Sequence, residues 1–294
     1  GDKTVIYNQI KFLSRNNDIT LLSLVRDEKE ALAAPQLRGY CSGIEFFRRG
    51  ADLSARNLLG AISSADPFTV IRYRQRQMLR RSKELIESGQ FDIIHAAFYY
   101  MAQYVINKGI VIPQKTAAIL DTHNIEYLVY SKCARLQKNP FIRILTTLEA
   151  MRIKKYELPL YNKFDACITF SELDRANIIR LSGASNIAVN PACMEASNTG
   201  EGSPAAPVKK NSILFFGLLS TPANEDAVRF FYRRIFSKIT REVPDARFLI
   251  AGKNPRKFAA SFSRDPRVSF LGRVADIADT LKGAAVVVAP LRLG

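Results

Sequence analysis

The stretch that decides the fold is Asn211–Phe231, NSILFFGLLSTPANEDAVRFF. Ser212–Phe216 is a short apolar run rich in β-forming residues, the pattern of a strand buried on both faces. Gly217 ends it, a polar loop with Pro222 follows, and Asn224 stands where a helix N-cap belongs. Glu225 and Asp226 fall in the first turn, where they complement the helix dipole. Ala227, Phe230 and Phe231 carry an apolar face onward at helical spacing. Strand, glycine turn and helix N-terminus form the unit with which α/β proteins meet phosphate groups.

The residues on either side of this stretch make it the opening of a second domain. Before it, Asn190–Lys210 has several Pro, Gly, Ser and Asn residues and no periodicity, as an interdomain linker has. After it come strands at Arg247–Ala251, Val268–Leu271 and Ala285–Ala289, with helices at Pro255–Phe262 and Ile277–Leu281 and a turn at Gly272-Arg273-Val274. That alternation is a second Rossmann-like half, with residues 1–189 the first domain, 190–211 the linker and 212–294 the second domain.

The first domain reads as helix Val5–Leu13, strand Ile19–Val25, a weaker strand Ile44–Phe47 and a short helix Leu53–Ile62. A doubly wound domain opens on a strand before its first helix, so a first strand is expected ahead of Gly1. Phe91–Ile94 is a strand ending at His95, Phe98–Asn107 the next helix, and Thr116–Leu120 a buried strand that runs into Asp121-Thr122-His123-Asn124-Ile125-Glu126-Tyr127. A long helix spans Phe141 to Tyr161, its charges Glu149, Arg152, Lys154, Lys155 and Glu157 reading as a solvated face or a membrane contact. Ala166–Phe170 is a strand, Ser171 caps the helix through Leu181, and Ile187–Val189 is the last strand. Both histidines of the chain therefore fall at the carboxyl ends of expected strands, the edge where open α/β sheets bind ligands.

Of 294 residues, 47% are hydrophobic and 24% charged, the balance of a globular protein long enough for two cores. The net charge of +16 has a basic excess in both halves and favours anionic partners: nucleotide diphosphates, nucleic acid or an anionic membrane surface. Arg72–Lys83, RYRQRQMLRRSK, is the densest basic run and reads as a solvated face or as a membrane contact. No nucleic-acid motif accompanies it, which argues against nucleic acid. The four cysteines are far apart, without a CxxC pair, as free thiols of a cytoplasmic protein are, and no metal site is expected. No apolar run approaches the ~18 residues of a membrane helix, and the first residues carry no signal-peptide pattern.

The chain resembles glycosyltransferase family 4, of GT-B fold, in particular its exopolysaccharide-associated sugar transferases. The residues that carry the resemblance are GDK at 1–3, FDIIH at 91–95, LDTHNIEY at 120–127 and KKYELPLYNKFDACITFSELDRA at 154–176. They continue with ILFFGLLSTPANEDAVRFF at 213–231, VSFLGRVADI from 268 and VVVAPLRLG ending at 294. The resemblance implies two Rossmann-like domains facing across a cleft, the second incomplete within the residues given. It implies a retaining transfer of a sugar from a nucleotide-diphosphate donor to a polysaccharide or lipid-linked glycan, in bacterial surface polysaccharide synthesis. It also implies no metal or cofactor, an acceptor bound by the first domain and a donor bound by the second.

By the same resemblance His123 is the catalytic histidine, with His95, Asn124 and Glu126 on the acceptor side. Gly217, Asn224, Gly272, Arg273, Val274, Arg292 and Gly294 are on the donor side. Departures bear on activity. The loop after the first donor-domain strand reads Gly217-Leu218, with no basic residue before Arg229, so the family's cationic clamp on the diphosphate is missing there. The linker reads Asn190-Pro191-Ala192-Cys193-Met194-Glu195 and lacks the usual glycine turn. The family's Glu-bearing donor segment would lie beyond Gly294, so the residues given are not expected to be an efficient enzyme alone. Two other functions fit the architecture: a sugar-nucleotide epimerase, and a silent nucleotide- or glycan-binding protein. The expected location is the cytoplasm, at the inner face of the membrane, with peripheral contact to anionic lipid.

Overall fold

The structure is a computed structural model describing residues 2–28, 30, 35–50, 64–191, 209–253, 258, 260, 262, 265–274 and 277–292. The chain divides into two compact units, Gly1–Glu195 and Ala196–Gly294. The expected helix at Leu53–Ile62, nearly all of the expected linker, most of the helix expected over 255–262, and Gly294 lie outside the described residues.

The first unit opens on α1 (Asp2–Leu13), followed by β1 (Thr20–Val25) and β2 (Gly43–Arg48), which pair in parallel as a sheet of their own. Two helices, α2 (Phe68–Arg72) and α3 (Arg76–Glu87), precede a four-stranded parallel sheet. Its strands β3 (Ile93–Ala97), β4 (Ala117–Thr122), β5 (Ala166–Thr169) and β6 (Ile187–Val189) lie side by side in chain order. Parallel neighbours need crossovers. Here α4 (Glu126–Leu136) and α5 (Pro140–Leu160) join β4 to β5, and α6 (Glu172–Ser182) joins β5 to β6. Ser171 accepts a hydrogen bond from the Asp174 amide at 3.1 Å, and the left-handed Gly183 ends α6, the start and stop its sequence announces. Leu120, Cys167, Ile153, Ile178 and Tyr161 are fully buried between sheet and helices.

The second unit runs β7 (Lys209–Phe216), α7 (Pro222–Phe230), a π-helical turn at Phe231–Phe236 and α8 (Ser237–Glu242). Then come β8 (Arg247–Ala251), β9 (Val268–Gly272), α9 (Ile277–Lys282) and β10 (Ala284–Val288). The parallel sheet has the spatial order β10-β7-β8-β9. Its first strand therefore has its second and fourth as neighbours on opposite sides, the topological switch point of a Rossmann sheet. Phe215, Phe231, Phe236, Phe248, Phe258 and Phe262 fill the core, their rings in tilted and edge contacts.

Four local expectations are corrected. Residues 98–107 form only a 3-10 helix at Tyr99–Tyr104, tied to α2 and the residue after it by Gln103 donating to the Val70 carbonyl and Tyr104 to that of Tyr73. Asn224 is not the N-cap of α7: Thr221 is, because Pro222 suits the first helical position and starts the helix early. His95 lies in mid-strand opposite Ile119, since pairing continues through Ala96 and Ala97. Glu149 and Glu157 do not belong to a solvated face; Glu157 is fully buried and Glu149 accepts from the Phe68 amide at 2.6 Å. No helix among the described residues is long and apolar enough to cross a membrane.

Gly252 marks the tightest point of the second sheet. It has φ +133°, and a Cβ there would stand 2.0 Å from the Gly217 carbonyl oxygen. Gly252→Ala is expected to cost the fold roughly 3 kcal/mol or more, from strain and a backbone clash together. Gly39→Ala, with open space around it, should leave the melting temperature nearly unchanged. Equal melting temperatures for both variants would show that β7 and β8 separate freely at their carboxyl ends.

Candidate functional site

The first unit gathers its polar chemistry where β3, β4 and β5 end. Asp121, the next-to-last residue of β4, is fully buried. Its Oδ2 accepts from Gln9 of α1 at 2.6 Å and lies 3.6 Å from His95 Nε2. Burial would push the Asp121 carboxyl up, but His95, Gln9 and the nearby His123 together hold it below its ordinary value. The second carboxylate oxygen, Oδ1, has no hydrogen-bond partner among the described residues.

His123 follows β4 directly and is only 6% exposed. Its ring rests between Phe98 at 4.2 Å and Phe170 at 4.8 Å, the residues just past β3 and β5. Phe98 has φ +74°, a strained value for an aromatic residue, and its amide donates to the Asp121 carbonyl at 2.8 Å. The strained turn sets the ring against His123 rather than letting the strand run on. Asn124 is exposed on the loop beyond, and Glu126 opens α4 with its carboxylate at the helix start, where the dipole favours it. The structure thus pairs His95 with Asp121 and sets His123 nearby, between the Phe98 and Phe170 rings. Asn124 stands on the adjoining loop and Glu126 in the first turn of α4.

Behind that loop stands Glu157 of α5. It accepts from the Glu126 amide at 3.0 Å, the Tyr127 amide at 2.9 Å and the Tyr161 hydroxyl at 3.1 Å. These amides belong to the first turn of α4, which has no intrahelical partner for them. Burial raises the Glu157 carboxyl to about 7 despite the two amides that favour its charged form.

In the second unit a glycine directly follows β7 (Gly217) and β8 (Gly252), and another, Gly272, ends β9. The Gly217 amide donates to the Ala251 carbonyl at 3.0 Å, and the Gly252 amide to the Gly272 carbonyl at 2.6 Å. Gly272 is left-handed, with φ +67°. Asn224 packs over Gly217, its Nδ2 2.9 Å from where a Cβ would stand, and donates to the Leu218 carbonyl at 3.1 Å. Asn224 therefore shapes the loop from within the helix instead of capping it. Of the three, only Gly272 has open space where a Cβ would stand; at Gly217 and Gly252 that space is taken by Asn224 and by the Gly217 carbonyl.

The cations divide into engaged and open ones. Arg292 forms a fork with both oxygens of Asp226 and lies 4.6 Å over the Phe230 ring. Arg229 pairs with Glu225 at 2.9 Å and stacks on Phe258. Arg273, after β9, is exposed and has no ion pair among the described residues; Val274 beside it is half-buried. Lys253, two residues past β8, is likewise exposed and without an ion pair among them, and its carbonyl accepts from the Leu219 amide at 3.1 Å. Lys253 thus abuts the loop that lacks a basic residue of its own.

Several of these residues escaped the sequence reading. Asp121 could have been found as the acid ending an otherwise apolar strand, and Lys253 as the cation just past one. Nothing local distinguishes Phe98, Phe170, Gln9 or Glu157.

The two parallel α/β units share the GT-B fold of the solved structures to which the chain is similar. Residues 210–294, from β7 through β10, match the family Glycosyl transferases group 1. A comparison with curated proteins gave no match. Among solved structures the chain is similar to Anabaena Alr3699/HepE in complex with UDP and glucose, with a TM-score of 0.55 and 14% identity. That likeness covers 96% of this chain and 69% of that one. It is also similar to TarM, with a TM-score of 0.53 and 13% identity over 71% of this chain. The chain spans only 38% of the length of TarM. A further structure, an S. aureus TarM mutant in complex with Fondaparinux, alpha-GlcNAc-glycerol and UDP, has a TM-score of 0.52 at 12% identity, with the same coverage of 71% and 38%.

The raised Glu157 carboxyl gives a signed prediction. Its ordinary value is 4.5 and its folded value about 7, so the folded state holds a proton that the unfolded state has released between those limits. The associated stability is present below about pH 4.5 and lost as pH rises through about 7. Against Glu157→Gln, which does not titrate, the wild-type advantage should shrink with pH at up to about 1.4 kcal/mol per unit. Denaturant titrations from mildly acid to neutral pH measure it, and a pH-independent difference would refute the raised value.

Proposed function

We propose that this chain acts in a retaining glycosyltransferase, of the family 4 exopolysaccharide-associated group, that moves a sugar from a nucleotide diphosphate to a polysaccharide or lipid-linked glycan. It works in bacterial surface polysaccharide synthesis, in the cytoplasm at the inner face of the membrane, and needs no metal or cofactor. The observation that carries this reading is the glycine edge of β7, β8 and β9 at a topological switch point, within the residues that match Glycosyl transferases group 1. UDP is the first nucleotide to test, because the HepE and mutant TarM complexes both hold it.

Breaking the glycosidic bond builds negative charge on the departing diphosphate, and preorganised donors and cations lower that barrier. Gly217, Asn224, Gly272 and Val274 form the donor edge in this reading. Arg292 is tied to Asp226 and Arg229 to Glu225, so neither is the free clamp. Lys253 and Arg273 take that role from the ends of the two neighbouring strands. His123, backed by the Asp121 carboxylate, faces the reacting sugar, while His95, Asn124 and Glu126 lie on the acceptor side. The engaged state of Arg229 and Arg292 favours one second reading, a protein that binds nucleotide without turnover.

Two measurements separate these readings. In the whole protein, His123→Ala should lower turnover about a hundredfold or more while shifting the melting temperature by only a few degrees. Loss of stability in proportion to turnover would make His123 a core residue. Lys253→Ala should weaken UDP binding about tenfold by calorimetry, as loss of a charge-assisted contact does. Unchanged affinity would remove Lys253 from the donor site.

A further inference from the structure

We infer that the tip of the α4–α5 hairpin is a membrane-docking surface for an anionic lipid bilayer. This deepens the membrane part of the proposed function by naming the surface, and the geometry differs from what charge density alone suggests. The dense basic run is largely engaged within its own unit. Arg81 pairs with Glu45 at 2.8 Å, Arg74 with Asp66 at 2.7 Å, Lys83 with Glu87 at 3.7 Å, and Arg80 with Glu84 at 3.8 Å.

The first half of α5 is different. Phe141, Ile144, Leu145, Leu148 and Met151 are each about half exposed or more, Phe141 reaching 68%. Their spacing places them on one side of the helix, while Ala150, Ile153, Glu157 and Leu160 are buried against the unit. The helix therefore buries one face along its second half and leaves the apolar side chains of its first half, Ile142 among them, uncovered. The two hydroxyls in this half, on Thr146 and Thr147, donate to the Ile142 and Arg143 carbonyls at 2.8 Å each. They bring no unpaired donor into an apolar medium.

The charge around this face selects its partner. Between Glu126 and Glu149 the sequence has no acidic residue, yet it has Lys132, Arg135, Lys138 and Arg143. Lys138 and Arg143 at the tip, and Lys155 further along α5, are exposed and form no ion pair among the described residues. A second copy of this chain would set the same cations against each other. A lipid surface with anionic headgroups takes up both the apolar side chains and the cations, the composition of a helix lying in the interface plane. The eleven residues of α4 place its start, beside His123, about 16 Å from the tip. A lipid-linked acceptor in that membrane would have to reach only this far.

Co-sedimentation with vesicles tests the assignment, using phosphatidylcholine with phosphatidylglycerol against phosphatidylcholine alone. Wild-type protein should bind the anionic vesicles, more weakly as salt rises, and bind the neutral ones poorly. Phe141→Ser, Leu145→Ser and Leu148→Ser combined should reduce partitioning at least about tenfold with no loss of melting temperature, since the side chains are exposed. Arg76→Gln with Arg80→Gln should bind like wild type. The assignment is overturned if wild type ignores anionic vesicles, if the triple variant binds unchanged, or if the Arg76 and Arg80 pair abolishes binding. It is also overturned if wild type proves a dimer that the triple variant dissociates. UDP calorimetry on the same samples keeps the outcomes distinct: lost UDP binding refutes the transferase reading while vesicle binding decides this one.

Discussion

A single buried carboxylate sets the geometry of the first unit. The first turn of α4 lies against α5, its amides have no intrahelical partner, and an unpaired buried amide costs about 1–3 kcal/mol. Glu157 reaches from α5 and takes two of them, Glu126 and Tyr127, while the Tyr161 hydroxyl donates to the same carboxyl. One side chain therefore fixes where α4 begins relative to α5. The loop between β4 and α4, with His123 and Asn124, is only as long as that anchorage allows. The three donors offset part of the burial cost, which explains how an ionisable group persists with no surface exposed.

The two units use the same sheet edge for different chemistry. In parallel sheets every strand ends on one side, so loops leaving the core converge there. The first unit fills that edge with Phe98, His123 and Phe170 around a buried Asp121, a setting that excludes water and holds charge. The second unit closes it with glycine at or just after the end of three neighbouring strands, bringing backbone within contact of backbone. The glycines of the second unit let backbone meet backbone at Gly217 and Gly252, and only Gly272 leaves open space. The Arg292–Asp226 and Arg229–Glu225 pairs neutralise the acids of α7, so the helix N-terminus does not repel an anion.

Much of this arrangement was legible from residue patterns, for specific reasons. Buried parallel strands are continuous apolar runs, so β4, β5, β7 and β8 announced themselves, and the Ser171 and Gly183 signals bounded α6. The loop after Phe216 was legible as a glycine turn, but Asn224 and Thr221 are both good caps and only the position of Pro222 separates them. Helix α4 escaped because its polar start merges with the DTHNIEY segment. Glu157 escaped because, between Lys155 and Tyr161, a buried acid has the same local pattern as an exposed one. The Asp121 cluster and the Lys253 loop contact are non-local, assembled from residues up to 112 positions apart. Sequence spacing cannot carry such contacts.

Net charge illustrates the same limit for surfaces. A protein of +16 attracts anions over much of its surface, so charge density in the sequence points to the longest basic run. In α3 those arginines and lysines have carboxylates one helical turn away or across on β2, and the local field is largely cancelled. The α4–α5 tip has fewer cations but no acid within reach along the sequence, and it exposes a row of apolar side chains beside them. What locates a partner surface is therefore uncompensated charge joined to unburied apolar area. Both depend on which part of a helix the fold has already covered.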